Sequence, residues 1–149
     1  MHIRKVIYVV LSFIALVIAG CGSKSGIYEI PVDFETGISG TIRYEANNVF
    51  DVRIQNDTKQ QFVLGNTSGI LYFMKDGKWV EVSPSYEKGE IVTWTKLELV
   101  FDEGKAHTNI KVPNAYHVKL EEGIYRIDFA AEITESGEEI VLSAEFEWK

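Results

Sequence analysis

"LEEGIYRI", residues 120–127, decides the fold. Leu120, Gly123 and Tyr125 have the spacing L-x-x-G-x-Y, which reads as a structural corner. In Greek-key sandwiches a tyrosine placed this way starts the penultimate strand and folds its hydroxyl back onto the preceding corner. The glycine takes backbone angles that other residues avoid, and the leucine plugs the end of the core. The alternative is a loop that leads into an ordinary core tyrosine. Position favours the corner, because two alternating segments follow it to the end of the chain. "YRIDFAAEI" puts Tyr125, Ile127, Phe129, Ala131 and Ile133 on one face. "IVLSAEFEW" does the same with Ile140, Leu142, Ala144, Phe146 and Trp148. Such alternation is the mark of a half-buried antiparallel strand.

Upstream the same period recurs. "VFDVRIQN" sets Phe50, Val52 and Ile54 against Asp51, Arg53 and Gln55. "WTKLELVF" alternates through Leu97, Leu99 and Phe101, with Trp94 out of register, as a bulge would leave it. Turn signals separate the runs: Asn56-Asp57, Gly104, Gly137 and above all Asp76-Gly77, a strong two-residue hairpin signal. No segment sustains a helical period over three turns, and no internal repeat is present. About seven or eight strands without a helix predict an all-β sandwich or small barrel.

On these residues the chain resembles a bacterial immunoglobulin-like domain found in surface lipoproteins of Gram-positive, spore-forming bacteria. "VRIQNDTKQQFVLGNTSGILYFMKDGKWVEV" looks like the first half of that domain, and "LEEGIYRIDF" with "SAEFEW" like its closing hairpin. The resemblance covers about residues 41–148. It implies an immunoglobulin-like Greek-key β-sandwich and nominates no catalytic residue. One departure is Glu122-Gly123 where the family usually has Pro-Gly. A looser similarity, to small intracellular proteinase inhibitors of bacilli, points to the fold alone.

The N-terminus predicts an address. Arg4 and Lys5 precede an apolar run that closes on Ala19, Gly20 and Cys21, the three parts of an export signal. The run is short for a membrane span, which needs roughly 20 residues. Ile18-Ala19-Gly20-Cys21 resembles the lipobox of bacterial lipoproteins. That resemblance implies cleavage between Gly20 and Cys21 and a covalent lipid of palmitate type on the Cys21 sulfur. The expected organisation is a lipoprotein signal peptide at 1–20, the lipidated cysteine and flexible tether at 21–26, and a β-sandwich domain at 27–149. The expected location is the outer face of the cell membrane. Cys21 is the only cysteine, so no intramolecular disulfide can form.

Cleavage removes two basic residues and no acid, moving the net charge from −7 to −9. That argues against a nucleic-acid partner, whose phosphates need Lys and Arg. The partners expected are the membrane, through its lipid anchor, and a protein or cell-wall component. No cofactor beyond the lipid is expected.

Catalytic chemistry finds little to work with. His107 and His117 are the only histidines after the signal, and no G-x-S-x-G elbow accompanies them. A zinc site needs three or four ligands, so none is expected. The acidic pairs Glu121-Glu122 and Glu138-Glu139 read as turn and solvent-facing residues. The tryptophans read mainly as packing, with sugar stacking the alternative. The expectation is a non-catalytic binding or structural module, not an enzyme. Residues 83–90, "SPSYEKGE", with Tyr86 and the nearby Trp79, form the candidate binding surface. Two other readings stay open: an inhibitor of an extracellular protease using that loop, and an enzyme with an unusual site.

Overall fold

The computed structural model describes residues 27–45, 49–65, 69–94 and 98–149. The signal at 1–20, Cys21 and the tether lie outside the described residues. Two antiparallel sheets close on one core. The first contains β1 (Ile27–Glu35), β2 (Ile38–Glu45), β3 (Phe50–Asn56) and β8 (Ala106–Lys111), in the order β1-β2-β3-β8. The second contains β4 (Phe62–Leu64), β5 (Ile70–Lys75), β6 (Lys78–Glu81), β7 (Leu99–Phe101), β9 (Gly123–Ile133) and β10 (Glu138–Trp148). A short 3-10 turn, Pro113–Ala115, carries the chain from one sheet to the other.

The described residues form ten strands rather than seven or eight. β4 has three residues, too few for an alternation to show in sequence, and β1 and β2 are not among the runs read from their period. The strand expected to run through Trp94 begins only at Leu99, and Trp94 lies in the irregular segment before it.

β9 is the axis of the second sheet. β10 pairs along its whole length, from Glu138↔Ile133 to Trp148↔Gly123. On its other side β5 covers Tyr125 to Asp128 and β4 covers Ala131 to Ile133. β6 lies outside β5, and β7 outside β4. The hairpin between β5 and β6 is the tight turn its sequence predicts. Asp76 and Gly77 both have positive φ, 51° and 76°, as a type I′ turn requires. β1 pairs only with β2 among the described strands, which lets Pro31 sit within it, because an edge strand can lack an N–H.

Alternation delivers the core. Phe50, Val52 and Ile54 of β3 are buried, as are Tyr125, Ile127, Phe129 and Ala131 of β9 and Leu142, Ala144 and Phe146 of β10. Phe62 stacks on Phe101 with centroids 4.7 Å apart. Among the described residues one buried side chain is polar, that of Asn56. Its Nδ2 donates to Gln60 O, Phe101 O and Asp102 O, and its Oδ1 accepts from Thr58 N and Thr58 Oγ1. A buried amide so fully paired costs little to desolvate and ties two loops together.

The two ends of the sandwich differ. At one end the chain enters β1: Ile27 faces Glu45, Tyr44 faces Phe50, and Tyr28 meets the Trp148 ring edge-on at 5.0 Å. The opposite end gathers the loops around Asn56. There Asp57 N donates to Gly37 O, Gly104 N to Asn56 O, and Thr134 N to Gln61 O.

Candidate functional site

The corner comes first, because it positions everything at the entry end. Tyr125 Oη donates to Glu121 O at 2.9 Å and accepts from Glu121 N at 3.0 Å. Leu120 and Tyr125 are buried. Gly123 has φ +155°, and a Cβ there would lie 2.5 Å from Phe73 Cε2. Glycine is therefore required by the neighbouring ring as much as by the backbone. Burial raises the Tyr125 pKa, partly offset by the bond to the Glu121 backbone.

The candidate loop is built on a neighbour that sequence reading did not single out. Tyr116 is its hub. Tyr86 stacks on Tyr116 at 5.5 Å, Trp94 meets it edge-on at 5.6 Å, and His117 lies against it at 4.1 Å. Ser85 N donates to Tyr116 O, and Tyr116 Oη donates to Glu90 Oε1 at 2.5 Å. That bond lowers the Glu90 pKa and raises that of Tyr116. A turn closes the loop tip, with Glu90 N donating to Glu87 O and Glu87 N to Glu90 Oε2.

Beneath the hub, Asn114 bridges strands. Its Oδ1 accepts from Leu71 N, and its Nδ2 donates to Leu71 O and Val82 O. "VPNAYH" carries a Pro-Asn turn signal that could have pointed to Asn114. Nothing local names Leu71, Val82 or Glu90 as partners.

The loop is pinned yet turns two apolar side chains outward among polar ones. Ile91 is 91% exposed and Tyr86 47%. Beside them Val49, Phe50, Trp94, Val112, Tyr116 and His117 line a cleft of about 200 Å³. Within the loop Tyr86 packs on Tyr116 while staying half-exposed. Sequence reading placed Trp79 near Tyr86, and the structure puts them in separate clusters. Trp79 and Tyr72 each lie on the Arg126 guanidinium, at 4.8 and 4.9 Å from ring centroid to Cζ. Arg126 Nε is 3.0 Å from Asp128 Oδ1, an ion pair aimed poorly for a hydrogen bond. This is cation–π cover of a sheet face.

The histidines do not meet. His107 Nε2 lies 2.9 Å from Val100 O and its ring edges onto Phe101, while His117 packs on Tyr116. A cleft of about 270 Å³ lies on the outer face of the first sheet between Arg43, Asp51, Arg53 and Asn109. Three of its charges are partnered: Arg43 with Glu45, Asp51 with Lys111, and Arg53 with the Gln55 amide. Among the described residues no three His, Cys, Asp or Glu side chains are placed to hold a metal ion. None of their helices is long and apolar enough to cross a membrane. Cys21 and Gly20 lie outside the described residues.

A family model described as a bacterial Ig-like domain matches residues 38–147. No curated protein matches the chain.

Proposed function

Since the chain belongs to the bacterial Ig-like domain family, we propose that it is a non-catalytic binding module held on the outer face of the cell membrane by lipid on Cys21. Support for the anchor is the charged, apolar and small-residue order that closes on Ile18-Ala19-Gly20-Cys21. The observation that carries the binding role is the loop of residues 83–94, pinned on Tyr116 yet turning Tyr86 and Ile91 to solvent. A preordered apolar surface loses little conformational freedom when it makes contact, so it binds at low cost.

Cys21→Ser tests the anchor. The variant should leave the membrane fraction or persist as an uncleaved precursor, and mass spectrometry of the parent should find diacylglyceryl on residue 21. A parent chain that is released without lipid rejects the reading. A second reading, inhibition of an extracellular protease, draws on the same loop, because the Glu87–Glu90 turn gives residues 83–90 the rigidity an inhibitory loop needs. Titrating secreted proteases with the domain decides it: stoichiometric loss of activity supports inhibition, and cleavage within the loop rejects it.

A further inference from the structure

We propose that Tyr86, Ile91 and Trp94 lie in the lipid–water interface of the bilayer that holds Cys21, so that the partner of the aromatic loop is the membrane itself. The inference rests on the anchoring reading and adds an orientation to it.

Position comes first. Trp94 and Tyr116 share their cleft with Val49 and Phe50. Phe50 faces Tyr44 in the neighbouring strand, and Tyr44 faces Tyr28 in the next. Strands lie about 4.8 Å apart, so this flank of the cleft is only about 10 Å across the sheet from the start of β1. The loop and the point where the chain leaves for Cys21 therefore share one end of the sandwich.

Reach is the second element. Six Cα steps separate Cys21 from Ile27, and a fully extended chain covers at most about 3.5 Å per residue, or about 20 Å in all. β9 and β10 have eleven residues each, which at about 3.4 Å per residue makes the sandwich about 35 Å long. A lipid on Cys21 thus holds the entry end within about 20 Å of the headgroups, close enough to touch them, and lets the far end stand clear.

Chemistry selects the occupant. Tyrosine and tryptophan favour the membrane interface, where an apolar ring meets a polar tip, and an aliphatic side chain between them gains from burial in the acyl boundary. Ile91 is the most exposed large apolar residue described, and Ile27 and Tyr28, 55% and 51% exposed, share its end. The loop itself offers Lys88 beside Glu87, and its Glu90 carboxylate is held by Tyr116. Its contact with lipid is apolar, without dependence on salt.

The test uses the lipidated full-length chain in phosphatidylcholine vesicles with brominated acyl chains. Trp79→Phe and Trp148→Phe leave Trp94 as the only tryptophan, excited selectively over the tyrosines. Its emission should be quenched, equally at low and high salt, and Ile91→Asp should abolish most of that quenching. Unquenched Trp94 in a chain whose Cys21 lipid is confirmed by mass overturns the proposal alone. A chain with no lipid on Cys21 overturns the anchoring reading and the proposal with it. Should the double variant fold poorly, hydrogen exchange on the unsubstituted chain replaces it. Amides of residues 86–94 should exchange more slowly on the vesicle than after cleavage within the tether, and equal rates overturn the proposal.

Discussion

The Tyr125 hydroxyl closes two backbone groups of one residue, Glu121 O and Glu121 N. Tyr125→Phe keeps the ring and deprives both groups of their partner. The expected loss is about 1 kcal/mol, and up to about 3 kcal/mol if the freed groups find no water, measured as a fall in the urea midpoint. The substitution should also change the alkaline limb. Burial raises the Tyr125 pKa above 10.0, so the folded chain holds this proton more tightly than the unfolded one. The stability that follows is complete below pH 10 and is lost as pH rises through the raised value. The phenylalanine variant should lose stability less steeply above pH 10, although Tyr44, raised by burial too, keeps part of the slope. This corner could be read from sequence because donor and acceptor are four residues apart. Asn56 could not be weighed in the same way: two of its acceptors, Phe101 O and Asp102 O, lie 45 and 46 residues away.

β3 and β9 bury every second residue over seven positions and β10 over five, Leu142 to Phe146, so their period survives in the sequence. β1 and β2, nine and eight residues long, are not read as strands from the sequence; β1 buries only Val32 and Phe34. β4 and β6 are set by their neighbours, and their three or four residues carry too little pattern. The loop of residues 83–90 was legible from sequence, but its continuation to Trp94 and its base were not. Its seat depends on Asn114 reaching back 43 residues to Leu71 and 32 to Val82. Asn114→Ala would remove the partner of Leu71 N and of Val82 O, while Leu71 O keeps its bond from Val82 N, at a cost of about 2 kcal/mol. Thermal denaturation should show that loss, and quenching by acrylamide should show Trp94 more accessible. An unchanged Tm would mean that the loop is held by its aromatic stack alone.

At the scale of the molecule, the core formed by the described residues runs from Val32 to Phe146, on the strands together with Val112, Ala115 and Leu120. A chain beginning at residue 27 should therefore show the β-rich circular dichroism and cooperative melting of the full-length protein. A broad, non-cooperative melt would assign the tether a structural part. The placement of β9 has a further consequence, in time. β4, β5 and β10 all pair with it, yet it occupies residues 123–133 of 149. A polypeptide emerging N-terminus first can assemble β1, β2 and β3, but the second sheet has no centre until most of the chain is out. Late arrival of the central strand delays closure of the hydrophobic core. For a chain exported as proposed above, that order would leave it open while it crosses.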